Sequence, residues 1–301
     1  MKRERILITG ADGNLGGRLT REMVETTDYD VVAVSLSHDM ISDMLDREQI
    51  ADRDRVIPFG QDAFFHSDWS DLNVSAAVHM AFARGNRPSQ EIANSLDYAK
   101  DVYRRLYDMR VPRILYSSSQ SVYGSTSDWR REDCPARPET LYSMAKYAGE
   151  KLLEAQFRDV PEVRYSTLRF DYVIQSQNLV PALCRDVKRT GTIQLKGGKQ
   201  TFSYIDRSDV AKAILALLRF QGLWKPVYNV GPHKMRYTLT EIAEFVSSIA
   251  KKHGVRDVTI NLEETDATMW SGMDSSLFMN DTAWKPSMDM EQMVEAIYEK
   301  V

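Results

Sequence analysis

Cysteine is almost missing from this chain: 301 residues hold two, Cys134 and Cys184, far apart and in no metal-ligand or redox spacing. That excludes a disulfide scaffold and predicts buried thiols in a reducing compartment. Histidine is nearly as sparse. His38, His66, His79, His233 and His253 are scattered without ligand-like pairing, so no metal site is expected. There is no excess of basic residues: the net charge is −4, which gives no reason to expect nucleic acid or an anionic membrane as a partner. No apolar run is long enough to span a bilayer. The opening MKRERILITGA is basic then apolar, but its apolar run is too short for a signal peptide, and a cytoplasmic location is expected. Repeats and low-complexity tracts are also missing.

What is present is an ordinary globular balance, 43% hydrophobic and 27% charged, in an alternating pattern. Short apolar runs at 5–9 (RILIT), 30–35 (DVVAVS), 55–59, 75–81 (SAAVHMA), 113–117 (RILYS) and 163–170 read as six strands. Stretches 15–24, 92–109 and 140–158 read as helices. In the last of these, Leu141, Met144, Ala148, Leu152 and Ala155 recur at steps of three or four. Near-continuous apolar strands alternating with helices imply a parallel sheet covered on both faces, hence an α/β doubly wound (Rossmann) sheet. After Asp171, Pro181, Gly191, Gly197-Gly198, Gly231-Pro232 and Pro286 punctuate shorter elements. The expected organisation is a dinucleotide-binding domain over 1–170, to which elements at about 203–230 return, and a smaller interleaved substrate lobe over 171–301. A capped helix is expected at 208–220, with Ser208 as its cap.

The first strand runs into TGADGNLGG, a G-x-x-G-x-x-G array of Gly10, Gly13 and Gly16 opening the first helix. Gly10 permits a sharp turn, Gly13 lets backbone approach a pyrophosphate, and Gly16 lets helix pack on strand. The helix N-terminus offers free N–H groups to phosphates. At the first strand-to-helix junction of an alternating chain, this predicts dinucleotide binding by Gly10, Asp12, Gly13, Asn14, Leu15 and Gly16. The second strand ends at Ser35 instead of the acid that would hold an adenine ribose. Losing the acid removes repulsion against a ribose phosphate, yet no Arg or Lys stands at 35–38, so the balance between NAD and NADP tips only slightly to NADP.

Two Tyr-x-x-x-Lys pairs follow the fifth strand: Tyr142–Lys146 and Tyr147–Lys151. At 100° per residue the two tyrosines lie about 140° apart on a helix, so both cannot face one cleft. Tyr142 is in the first turn, nearest the serines of ILYSSSQSVYG at the carboxyl edge of the sheet, where such sheets bind ligands. A free tyrosine has a pKa of ~10, and working as a proton carrier near neutrality needs ~4 kcal/mol of differential stabilisation. Lys146 and a positive nicotinamide in a desolvated cleft are able to supply it. Tyr142 would then move a proton to or from a substrate oxygen as hydride is exchanged, with Ser119 bonding the same oxygen and Lys146 the nicotinamide ribose.

The ordered set ITGADGNLGGRL, AAVHMAF, SSSQSVYG, YSMAK, TFSYIDRSDVAKA, YNVGP and WKPSMDMEQMVEAI resembles the extended short-chain dehydrogenase/reductases, of the nucleotide-sugar epimerase/dehydratase kind. The resemblance covers essentially the whole chain. It implies a Ser119, Tyr142, Lys146 catalytic set and cofactor contacts from Ser35, Asp62, Met80, Ala81, Phe82 and Ser117 as well as the glycine loop. It also implies a helix asparagine at Asn94 and substrate contacts from Arg84, Ser119, Gln120 and Tyr172. A homodimer through the helix after strand four and the YSMAK helix is implied too.

Departures narrow the chemistry. Gln120 and Ser121 stand where the family's sugar dehydratases carry an acidic pair, which argues against 4,6-dehydration. Phe82 replaces a small residue. Tyr172 replaces an asparagine that would contact a substrate diphosphate, and Thr201 and Phe202 stand where an arginine is common. The expectation is an NAD(P)-dependent nucleotide-sugar epimerase or 4-keto-sugar reductase. The alternatives are a dehydrogenase/reductase of a non-nucleotide carbonyl or sugar-acid substrate and, from another class, a non-catalytic NAD(P)-sensing protein.

Overall fold

The computed structural model describes residues 3–69 and 72–301. Its frame is a parallel sheet built from β1 (Arg5–Thr9), β2 (Asp30–Ser35), β3 (Val56–Gly60), β4 (Val74–His79), β5 (Arg113–Ser119) and β6 (Arg164–Phe170), joined through α1 (Asn14–Thr26), α2 (His38–Arg47), α3 (Gln61–His66), α4 (Ser89–Asp108) and α5 (Leu141–Phe157). The helix α2 between the second and third strands was not foreseen. Beyond β6 come β7 (Tyr172–Val173), α6 (Leu179–Thr190), β8 (Thr192–Lys196), β9 (Thr201–Phe202), β10 (Tyr204–Ile205), α7 (Arg207–Arg219) and β11 (Val227–Val230). The chain ends in β12 (Tyr237–Thr238), α8 (Leu239–Lys252), β13 (Thr259–Glu263), α9 (Ser276–Thr282) and α10 (Met290–Tyr298).

The sheet order is β11-β6-β5-β4-β1-β2-β3. The order reverses between β1 and β4, and a doubly wound sheet binds ligands at the carboxyl ends of its strands at such a switch. Each strand feeds two cores. Ile6 and Ile8 of β1, Val31 and Ala33 of β2, and Ala76 and Val78 of β4 face one cluster, shared with α7, β11 and α9. Leu7, Val32, Val34 and Ala77 face the other, under α3, α4 and α5. Burial on both faces is why these strands read as apolar runs without alternation. A third cluster joins α6, α8, α10 and the parallel β8–β13 pair. Residues after Asp171 therefore divide between this cluster and the main sheet.

Three local expectations are corrected. The cap of α7 is Asp206, not Ser208: the Asp206 carboxylate accepts from Ser208 N at 2.6 Å, because a carboxylate two residues earlier reaches the free amide better than the serine's own hydroxyl. The apolar stripe of α5 is not its docking face. Leu141 and Met144 are exposed, and the helix instead buries Ser143, Ala145, Lys146, Gly149, Glu150, Leu153 and Phe157. Both cysteines are free thiols, but only Cys184 is buried, where burial pushes its thiol up to about 12, while Cys134 is half-exposed.

Candidate active site

The glycine loop closes against β4's exit. Gly10 sits at φ +69°, and a Cβ there would lie 2.8 Å from the Ala81 backbone, so only glycine lets the two loops touch. A Cβ on Gly16 would lie 2.1 Å from the Gly10 carbonyl. Gly13 caps α1 without a side-chain bond, and no acid stands in the first turn. The amides of that turn and the positive end of the helix are thus available to a pyrophosphate. The Asn14 side chain is already engaged: it accepts from Arg207 Nη1 at 3.1 Å and donates to Ser176 Oγ at 3.0 Å. Arg207 also meets Glu48 at 2.8 Å, so α7 and α2 brace the loop. Arg47 Nη2 donates to the Asp12 carbonyl at 2.6 Å, and Leu15 packs on the core.

Ser35 is buried at the end of β2, its hydroxyl turned to Met40. Asp62 follows β3 at the carboxyl edge, where Gly60 pairs with Ser35; its side chain is 96% exposed and paired with His66 at 3.1 Å. Met80 N bonds the Thr9 carbonyl at 3.2 Å, which fixes the Met80–Ala81–Phe82 exit beside β1. Below it, fully buried His79 shares a 2.6 Å hydrogen bond with Thr9 Oγ1 and stacks on Tyr116. Burial, with the nearby Lys146 charge, drops the His79 pKa to about 3.

Helix α5 delivers Tyr142 and Lys146. Thr140 and Ser143 form a capping box that fixes its first turn, with Thr140 Oγ1 accepting from Ser143 N at 3.1 Å. Tyr142 packs edge-on to Phe82, ring centroids 6.2 Å apart, and against Gly85. Burial pushes its phenol up to about 12; the Ser119 hydroxyl opposes this, neighbouring Tyr172 adds to it, and Arg84 again opposes it. Ser119 Oγ accepts from both Ser121 N at 3.2 Å and Ser121 Oγ at 3.0 Å, so its own proton is directed outward as a donor. Lys146 is 4% exposed. Its Nζ donates to the Ser117 carbonyl at 2.7 Å and lies 4.1 Å from the Phe82 ring centre. Burial lowers it to about 7, with Glu150 pulling the other way. Tyr147 faces elsewhere, against Val122, Tyr123 and Met273, and Lys151 pairs with Glu154 at 2.9 Å. The geometry thus separates the two Tyr-x-x-x-Lys pairs.

Of the remaining predicted positions, Arg84 is exposed at the cleft edge, Gln120 is buried and meets the Tyr172 side chain, and Tyr172 clusters with Phe202 and Tyr204. Asn94 is not at the site: it is exposed on α4 and accepts from Gln90. Instead Ser95, one residue on, accepts from Ala83 N at 2.9 Å.

A buried network behind the site was missed. Ser118 Oγ donates to Glu150 at 2.6 Å, and Arg169 grips the same carboxylate with Nη2 at 2.6 Å and Nε at 3.0 Å. The Arg169 guanidinium lies over Tyr123, whose hydroxyl donates to Asn229 at 2.8 Å. The available signal was Glu150 four residues after Lys146, on the same helix face.

A family model described as the NAD dependent epimerase/dehydratase family matches residues 6–231. Among solved structures, a UDP-glucuronic acid 4-epimerase from Bacillus cereus, in complex with UDP-glucuronic acid and NAD, is similar at 19% identity, with 98% of each chain covered and a TM-score of 0.81. A UDP-galactose 4-epimerase is similar at 20% identity and TM-score 0.77, covering 98% of this chain and 97% of that one. An NAD-dependent NDP-hexosamine 5,6-dehydratase, TunA, from tunicamycin biosynthesis, matches at 19% identity and TM-score 0.79, covering 99% and 97%. At these identities the likeness speaks for the fold.

Proposed function

The chain belongs to the NAD-dependent epimerase/dehydratase family, and on that premise we propose an NAD-dependent oxidoreductase acting at a hydroxyl-bearing carbon of a sugar, as an epimerase or a keto-sugar reductase. The carrying observation is the convergence of Ser119, Tyr142 and Lys146 at the carboxyl end of β5, beside a loop shaped for a pyrophosphate. When bound, the nicotinamide supplies the hydride acceptor and donor. Tyr142 carries the proton to and from the substrate oxygen. Ser119, its lone pairs taken by Ser121, donates to that oxygen and holds it in line. Lys146 supplies nearby positive charge, and Tyr142 becomes a usable base only as further positive charge enters the cleft.

The NADP expectation finds no support in the comparisons, where the Bacillus cereus epimerase holds NAD; NAD is proposed here. The relatives include a dehydratase as well as epimerases, so the argument against 4,6-dehydration rests on this chain's Gln120 and Ser121, neither of which serves as an acid or base for eliminating water. A non-nucleotide substrate is the second reading. Tyr172, Phe202 and buried Tyr204, the last two stacked at 5.9 Å, form an aromatic cluster where the family resemblance would put polar contacts to a diphosphate. A homodimer through α4 and α5 is supported by exposed Tyr107, Leu141 and Met144.

The test is to denature the purified protein and quantify the nucleotide released, then offer UDP-sugars and free sugar acids and separate the products. Near-stoichiometric NAD with a 4-epimer formed supports the epimerase. Product formed only with added reduced dinucleotide supports the reductase. No turnover of any sugar, with dinucleotide tightly held, would sink both and leave a sensor.

A further inference from the structure

Next to Tyr172 lies charge that the redox chemistry does not use. Arg130 is 2% exposed. Its Nη2 donates to the Gly124 carbonyl, while its Nε and Nη1 are buried without a partner. Arg236, between β11 and β12, stacks its guanidinium 3.7 Å over the Trp129 ring, and its Nε and Nη2 are likewise buried and unpartnered. Burial lowers the proton affinity of both guanidiniums, and Arg130 is lowered further by the charge of Arg236. The carboxylates within reach are Asp171, which acts on both, and Asp128, which acts on Arg236. Asp171 is itself buried. It accepts from Ser203 Oγ at 2.9 Å, and its Oδ1 has no partner. Burial, opposed by Ser203 and the two arginines, pushes its carboxyl up to about 8. Gly231 makes room for it, since a Cβ there would stand 2.1 Å from Asp171 Oδ2. Gln120 adds a buried Oε1 without a partner.

Four buried guanidinium nitrogens without a protein partner are costly to maintain for the fold alone. An oxyanion repays them, because the Nε–Nη2 edge of Arg236 matches a carboxylate bidentately and Arg130 adds single donors. Asp171, mostly protonated at neutral pH, leaves positive charge over and offers a donor. Asp128 beside Arg236 disfavours a dianionic phosphate against a monoanion. The cluster reaches the chemistry through Tyr172, which meets Gln120, feels Arg130 and Asp171, and in turn acts on Tyr142.

We propose that Arg130 and Arg236 form a carboxylate-binding subsite, so that the substrate is a sugar acid, free or nucleotide-linked, held by its carboxylate while Ser119 and Tyr142 act on a ring carbon. The location of the reacting carbon rests on the oxidoreductase reading above; the binding of the carboxylate does not.

The test uses NAD-loaded Tyr142→Phe protein, so that binding is measured without turnover. Calorimetry compares D-glucuronate with D-glucose and UDP-glucuronate with UDP-glucose. In at least one pair the acid should bind about tenfold more tightly, as one charged hydrogen-bonding group allows. Adding Arg236→Gln should erase that preference while the NAD dissociation constant, the check on folding, stays unchanged; Arg236→Lys should restore part of it. The subsite is overturned if no acid outbinds its neutral counterpart, if the preference survives Arg236→Gln, or if glucose 6-phosphate outbinds glucuronate. Turnover by the parent protein without acid preference rejects the subsite alone. Acid preference without turnover by the parent rejects the oxidoreductase reading alone.

Discussion

The two ends of the cleft are made of different material. At the proposed dinucleotide end the chain offers backbone: Gly10 touching Ala81, Gly16 against the Gly10 carbonyl, and the free amides of α1. At the proposed substrate end it offers side chains: Gln120, Arg130, Tyr172, Phe202 and Arg236, brought in from separate segments. A backbone site demands particular residues at fixed spacing, because a single Cβ closes it. A side-chain site tolerates exchange, and this chain has exchanged the polar contacts expected there for aromatic rings.

The comparison can be broken most sharply at its middle. Tyr142→Phe should cut kcat by about 10²- to 10⁴-fold, the scale of a lost general acid–base, with NAD affinity unchanged by calorimetry. Equal loss of both would mean that the two ends are not separable. Next in size is Glu150→Ala, which strands the buried Arg169 charge and should destabilise the fold by about 3 kcal/mol in urea denaturation. At the backbone end, Gly16→Ala places a methyl 2.1 Å from the Gly10 carbonyl. It should weaken NAD at least about tenfold while leaving substrate-analogue binding close to the parent's, in line with backbone hydrogen bonds to a charged group.

Smaller effects read the two ends by pH. The Asp171 carboxyl is raised from 3.8 to about 8 on folding, so the folded state binds the extra proton. Its contribution is full below about pH 4 and is lost as pH rises towards 8. Asp171→Asn should flatten that part of the stability curve measured by thermal unfolding. His79 has the opposite sign. It is lowered from 6.5 to about 3, so its contribution is present above pH 6.5 and lost as pH falls towards 3. His79→Asn should soften the acid limb. An unchanged limb would show that burial beside Lys146 does not hold the ring neutral.

The same contrast sets what was legible in the sequence. β2 was placed to the residue, and the choice of Tyr142 over Tyr147 followed from helix geometry and from Tyr142's place in the first turn, nearest the serines. Both depend on period and neighbours in sequence. Asn94 was assigned by position in a pattern, yet a one-residue offset on α4 puts Ser95 inward and Asn94 out. The buried face of α5 was misread because its inner residues are Lys146 and Glu150, polar groups that a hydrophobic period assigns to solvent. Arg130 and Arg236 stand in no pattern that singles them out; only the folded chain stacks Arg236 on Trp129 and buries Arg130.

One brace has a consequence for how the molecule is made. Asn14 in the glycine loop is gripped by Arg207, and α1 packs on α7. During synthesis the ribosome releases the loop long before its clamp. A nascent chain stalled before Arg207 should fold much of its sheet yet retain dinucleotide poorly, and one extended past β11 should hold it. The cofactor loop is therefore an early piece finished late, and arrested chains of increasing length would time the moment at which it starts to hold its ligand.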